Sequence, residues 1–82
     1  MKLSIYSVYD SKTEAFAQPF YMQTKGAAIR AFSELANNKD HQIGKYPSDY
    51  GLFELGHWDD VSGVFVSHVV PLSMGLAQEF VK

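Results

Sequence analysis

Hydrophobic and polar positions alternate from Lys2 to Tyr9, with Leu3, Ile5 and Ser7 pointing one way and Tyr6 and Val8 the other. Such a period-two pattern, rich in β-branched and aromatic residues, predicts a strand. The polar cluster Asp10-Ser11-Lys12-Thr13 reads as a turn, and Glu14 to Gln18 as a short returning strand of an N-terminal hairpin. Pro19 makes the next stretch an edge or loop, and Pro19-Phe20-Tyr21-Met22 is too short to stand as an element of its own. The period then changes. From Lys25 to Asn37, Ala28, Ala31, Phe32, Leu35 and Ala36 fall on one helical face and Arg30, Ser33, Glu34 and Asn37 on the other. Thr24 is placed to cap the start of that helix, and Asn37-Asn38 to stop it, since Asn tolerates the left-handed conformation.

Beyond the helix, Lys39 to Asp49 reads as a polar loop broken by Gly44 and Pro47. Alternation returns over Tyr50 to Trp58, which places Leu52 and Trp58 on one face and Phe53 and Leu55 on the other. Asp59-Asp60-Val61-Ser62-Gly63 has the composition of a hairpin loop. Val64 to Val70 is the returning strand, with Val64, Val66, His68 and Val70 on one face and Pro71 at its end. The tail from Leu72 to Lys82 is mildly helical around Leu76, Ala77 and Phe80. The expected architecture is therefore α+β, in the order β(β)αββ with a short C-terminal helix or arm. A small antiparallel sheet of three or four strands carries the one central helix on one face. A helix of about 13 residues is ~20 Å long and covers one side of such a sheet. Apolar residues on both strand faces leave the second side in need of a cover, with a partner subunit as the economical candidate.

Composition narrows the picture further. The chain has 82 residues, room for one domain (residues 1–82) with one core. Chains of this size bury only about 60–65% of the surface their unfolded form exposes, so oligomerisation is an available extra source of stability. Cysteine is absent, which removes disulfides and thiolate–zinc sites. Hydrophobic residues make up 46% and charged residues 20%, a globular balance. The formal net charge of −2 is not that of a strongly basic nucleic-acid binder, so any such contact must use a local patch. No apolar run approaches the ~20 residues of a membrane-spanning helix, and Met1-Lys2-Leu3-Ser4-Ile5 lacks the form of a signal peptide. The expected location is the cytoplasm.

The candidate chemistry is sparse. His57 and His68 face each other across the predicted hairpin, but with His41 they match no ligand spacing, and no metal or cofactor is expected. Asp59 and Asp60 are explained by turn chemistry, and Gly51, Gly56 and Gly63 by backbone geometry, since no phosphate loop or nucleophile elbow surrounds them. The expectation is a protein that binds, not an enzyme. Lys12, Lys25, Arg30, Lys39 and Lys45 are accompanied by Tyr9, Phe16, Phe20, Tyr21, Tyr46 and Tyr50. Cations among exposed rings are what single-strand binders use, because charge tracks the phosphates while rings stack on bases. The competing account is that most rings are core and the lysines an ordinary solvated surface.

The opening Lys2-Leu3-Ser4-Ile5-Tyr6-Ser7-Val8-Tyr9-Asp10-Ser11-Lys12, then Pro19-Phe20, then Ala28-Ile29-Arg30-Ala31-Phe32, resemble the small nonstructural protein of gokushoviruses. These are microviruses, tailless phages with circular single-stranded DNA genomes. The run from Tyr46 to Asp60, closing at Gly63, is similar to that family's most distinctive block: Pro, an acidic residue and an aromatic, an alternating strand, then Gly, an aromatic, Asp and a turn Gly. The resemblance covers nearly the whole chain in order, least distinctively over the C-terminal dozen residues. It implies a nonstructural protein that binds single-stranded DNA during viral genome replication or packaging, in the host bacterial cytoplasm, and it carries no catalytic residues over.

Together these readings lead to sequence-independent binding of single-stranded DNA by a homo-oligomer. Lys12, Lys25, Arg30, Lys39 and Lys45 would contact phosphates, and Tyr9, Tyr21, Tyr46 and Tyr50 would stack on bases. The alternative is a protein–protein adaptor contacting viral replication or procapsid-assembly proteins, which the negative charge and surplus apolar sheet surface favour.

Overall fold

The alternating N-terminal segment forms the first strand, β1 (Lys2–Asp10), in the computed structural model, which describes residues 1–82. β2 (Ala15–Phe16), β3 (Phe20–Met22), the helix α1 (Lys25–Ala36), the single-turn helix α2 (Gln42–Lys45), β4 (Tyr50–Asp59) and β5 (Phe65–Leu76) follow. A 3-10 turn, Ala77–Phe80, ends the chain. All strand pairs are antiparallel, in the order β2-β1-β4-β5, and β3 also pairs with β1. The fold is α+β, with an open five-stranded sheet and one main helix on one face. The extra strand is the Phe20–Met22 stretch that looked too short to stand alone. It is held because its three residues complete the edge of β1 alongside Ser4, Ile5 and Tyr6.

α1 starts as expected. Thr24 is extended (φ −133°, ψ 153°) and its Oγ1 accepts the Ala27 amide at 3.1 Å. Its stop differs from the expectation, because Asn37 has φ −100° and is not left-handed. The Asn37 side chain works instead as a clamp. Its amide donates to the Ser33 and Phe80 carbonyls at 2.8 and 2.9 Å, and its oxygen accepts from the Lys82 amide at 2.8 Å. The tail is thereby tied to the helix end. The Lys39–Asp49 segment is also more ordered than a polar loop. Gly44 does not break structure there but permits α2 to pack against the end of α1, since a Cβ would lie 1.8 Å from the Asn38 carbonyl oxygen. The buried cluster that results joins Tyr6 and Leu52 of the sheet to Ala28, Phe32 and Ala36 of α1, Ile43 of α2 and Ala77.

The sheet has three register shifts: one leaves Met74 as an extra residue of β5 between Leu52 and Phe53, and two others set which residues of the ring-bearing strands face which way. β1 runs in strict alternation, but its register with β4 jumps from Ile5↔Gly56 to Tyr6↔Glu54, leaving Leu55 as an extra residue. This bulge reverses the phase of β4. Leu52 pairs with Val8 on the helix side, whereas Trp58 pairs with Leu3 on the opposite side, next to Phe53 opposite Ser7. The expected sharing of a face by Leu52 and Trp58 is thus corrected. The second irregularity is larger. Between Glu54↔Leu72 and Gly56↔Ser67, the four residues His68 to Pro71 of β5 stand against Leu55 alone. Simple alternation of Val64, Val66, His68 and Val70 fails for this reason, and Val64 lies outside the strand. Pro71 sits within this excursion on the edge strand, where no ladder bond from its nitrogen is required, so β5 continues to Leu76 instead of ending. The predicted tail helix shrinks accordingly to the 3-10 turn.

Tyr6 is fully buried, and its hydroxyl lies beside Ser4 and Glu54 without a well-formed hydrogen bond. Burial, above all, holds its pKa above the usual phenol value. An unpaired buried hydroxyl costs about 1–3 kcal/mol. Tyr6→Phe is therefore expected to stabilise the fold by about 1 kcal/mol, read as a higher urea midpoint at unchanged slope. Gly56 behaves in the opposite sense. A Cβ there would lie 2.1 Å from the Val66 carbonyl oxygen, so Gly56→Ala should lower stability by at least about 2 kcal/mol in the same measurement.

Candidate nucleic-acid interface

The helix side and the open side of the sheet carry different chemistry. On the open side, the register aligns Leu3, Ile5, Ser7 and Tyr9 of β1 with Trp58, Gly56, Phe53 and Gly51 of β4. Phe16 stands opposite Tyr9, Tyr21 opposite Ile5, and Phe65 opposite Trp58. Six rings consequently gather on this face in two groups. Tyr9, Phe16 and Phe53 pack together with centroids 4.8 to 6.1 Å apart. Trp58 sits between Tyr21 at 5.9 Å and Phe65 at 6.1 Å. Phe16, Tyr21 and Phe65 are 44%, 42% and 61% exposed, so the rings are reachable from solvent. The pairs Leu3↔Trp58 and Tyr9↔Gly51 are six residues apart along β1, so the ring-bearing surface spans about 20 Å from end to end, while Phe53 opposite Ser7 and Tyr21 opposite Ile5 bring the two groups within two residues of each other along that strand. None of the paired residues on this face is charged.

The cations predicted from sequence divide between two regions. Lys12 lies in the β1–β2 turn, beyond Tyr9 and Phe16 at the rim of the open face. That turn is held to the segment after α2, because the Ser11 amide and hydroxyl both donate to the Asp49 carbonyl, at 2.9 and 3.0 Å. Lys45 ends α2 and exposed Tyr46 follows it, so both belong to the same end of the molecule, and Lys39 opens the connection leading into α2. Lys25 and Arg30 lie on α1, on the far side of the sheet from the rings. Arg30 lines a shallow polar hollow with Ser33, Glu34, Asn37 and Lys82. Of the four predicted stacking residues, Tyr9 and Tyr21 are on the open face, whereas Tyr50 faces the helix side with Asp10.

Tyr50 lines a cleft of about 440 Å³ beside β2, bounded by Val8, Phe16, Phe20, Leu35, Ile43 and the polar residues Asp10, Gln18, His41 and Gln42. Burial first, then the carboxylates of Asp10 and Asp49, push the Tyr50 phenol above its ordinary pKa, so it stays protonated and able to donate. His41 accepts the Ile43 amide at Nδ1 (3.1 Å), which leaves its proton on Nε2. The cleft continues into a wholly apolar hollow of about 280 Å³ that shares Val8, Phe20 and Leu35 with it. Phe16 joins the cleft to the open face, since it belongs to both.

His57 and His68 are neighbours across the β4–β5 hairpin, as their sequence positions predict, with ring centroids 6.5 Å apart. His68 Nε2 lies 2.7 Å from Glu54 Oε1. This cluster borders none of the four cavities, and it does not form a three-ligand group suited to a metal ion. At the β4–β5 turn, the backbone amide of Val61 holds the Asp59 carboxyl below its usual pKa, which is the turn role the sequence assigns to it.

Sequence reasoning missed Phe53, Trp58 and Phe65 as candidate binding residues. Strict alternation sets Phe53 and Trp58 on opposite faces, and only the bulge at Leu55 brings them together. No curated protein and no solved structure matches the chain. The family model described as Phage ORF5 protein matches residues 3–80, which span both ring groups, α1 and the cleft. The chain belongs to the Phage ORF5 protein family, and is thus a member of a family of phage proteins.

Proposed function

We propose that this phage protein binds single-stranded DNA without sequence preference, with the open face as its stacking platform. The role fits viral genome replication or packaging in the cytoplasm of the infected bacterium. The observation that supports it is the pair of ring groups on an uncovered sheet face, Tyr9–Phe16–Phe53 and Tyr21–Trp58–Phe65. Sheets with exposed rings accept unpaired bases because every base has a stackable face, at ~1–3 kcal/mol per base. A ring-bearing surface about 20 Å long suits a strand several nucleotides long. Lys12, Lys39 and Lys45 are the phosphate contacts this geometry favours, at the end that carries Tyr9 and Phe16. Lys25 and Arg30, on the opposite side, leave the set. The likeness of the Tyr46–Asp60 block to the gokushovirus nonstructural protein supports the same role.

Trp58 is the only tryptophan and stands within one ring group, so its fluorescence reports stacking directly. Titration with a single-stranded oligonucleotide is expected to quench it. Three phosphate contacts give a slope of about −2 in log K against log salt, at ~0.7 per contact on a single strand. Absence of binding at low salt would remove the proposal.

Phe65→Ser and Tyr21→Ser provide a second check. Because both rings are substantially exposed, each change should alter stability by less than about 1 kcal/mol while weakening DNA binding by ~1–3 kcal/mol. Equal binding by wild type and both variants would place the contact elsewhere.

The uncharged ring face and the net charge of −2 favour a second reading, an adaptor that docks on viral replication or procapsid-assembly proteins. Recovery of such proteins from infected cells after nuclease treatment, together with no quenching by DNA, distinguishes it.

A further inference from the structure

β5 ends the strand order, so one of its edges has no partner within the chain. Over its twelve residues, Phe65–Leu76, there is no Asp, Glu, Lys or Arg. Natural edge strands are commonly guarded by charge, shortness or prolines, because an open edge offers unpaired amides and carbonyls to any other strand. Here the guards are Pro71 and the excursion around it, and that excursion carries the most exposed apolar side chains of the strand. Val69 is 101% exposed and Val70 66%, and outside the excursion Phe65 and Leu72 are 61% and 51% exposed. The whole molecule also shows more surface than its size requires: 5341 Å², against about 4,900 Å² for a compact monomer of this mass. It is elongated, with extents of 40 × 23 × 17 Å.

We infer that the protein is a dimer in which two copies of β5 meet antiparallel at their open edges, with Val69 and Val70 buried between them. Three considerations select a second copy as the occupant. A strand edge without charges gives an unlike partner no electrostatic handle, whereas its unmet backbone groups are matched by any antiparallel strand, and the same chain supplies one. A twofold arrangement satisfies both edges at once and closes, while head-to-tail pairing would leave an exposed β5 at one end and propagate. Val69, Val70 and Leu72 offer on the order of 350 Å² per copy to such a contact, nearly half of the ~800 Å² per partner of a stable interface, and the rest of the strand edge adds to it. Paired in this way, the two open faces form one continuous sheet surface. The inference stands on the β5 edge alone and does not depend on DNA binding.

Sedimentation velocity of the full chain without nucleic acid, over a range of concentrations, tests it. The expected mass is about twice 9.2 kDa. The double variant Val69→Lys/Val70→Lys should keep the wild-type circular dichroism, because both side chains are exposed in the single copy, and weaken the dimer at least about a hundredfold. The chain has no cysteine, so Val69→Cys gives a clean cross-link readout. It should form disulfide-linked dimers on mild oxidation, and Lys39→Cys, away from β5, should not. A wild-type monomer throughout the range overturns the inference. So does a dimer that survives the lysine variant and leaves Val69→Cys unlinked, since it would use another surface.

Discussion

α1 lies against one side of the sheet and no helix lies against the other. That asymmetry governs the rest of the molecule. Twelve helical residues span about 18 Å, enough to bury Tyr6, Leu52 and their neighbours but not to reach around the strands. The Asn37 clamp and the 3-10 turn close the same side further, and Phe80 packs against Phe32 there at 6.0 Å. All of the chain's covering elements are spent on one face. The rings of the other face stay in contact with solvent.

The bulge at Leu55 turns an uncovered face into an organised one. A strand of strict alternation would distribute Phe53 and Trp58 to opposite sides, leaving one of them in the core and the other alone. One extra residue reverses the phase halfway along β4, so both rings come to the same surface and each joins a group supplied by neighbouring strands. Beside the bulge, β4 and β5 approach so closely at Gly56 and Val66 that a side chain has no room there. Backbone geometry at one position thereby decides the chemistry of a surface some 20 Å long.

The elements that follow from local pattern were legible in the residues. The alternation of β1, the helical period and Thr24 cap of α1, and the turn at Asp59–Gly63 each depend on neighbours in sequence, and each is present. The class and the uncovered second face followed from them. The bulges and the reach of β5 past Pro71 were not legible, because both are settled by strand pairing, and an edge strand tolerates a proline that a central one would not. For the site, residue type indicated rings and cations but not their grouping. Tyr9 and Lys12 share one end of the open face and Tyr21 joins the ring group toward the other, whereas Lys25 and Arg30 are carried away by the helix they belong to. Phe53, Trp58 and Phe65 escaped notice because a ring on a strand reads as core until the covering layer is known to be missing.

The bare, ring-bearing side of the sheet is the proposed ligand face. Amide and indole NMR shifts of the labelled protein, followed while single-stranded DNA is added, test it most directly. Perturbations are expected at the Trp58 indole, along β1 and β4 around Tyr9 and Phe53, and in the Lys12 turn, with Arg30 and Glu34 on the outer side of α1 unmoved. Shifts confined to α1, or none at saturating DNA, would contradict it.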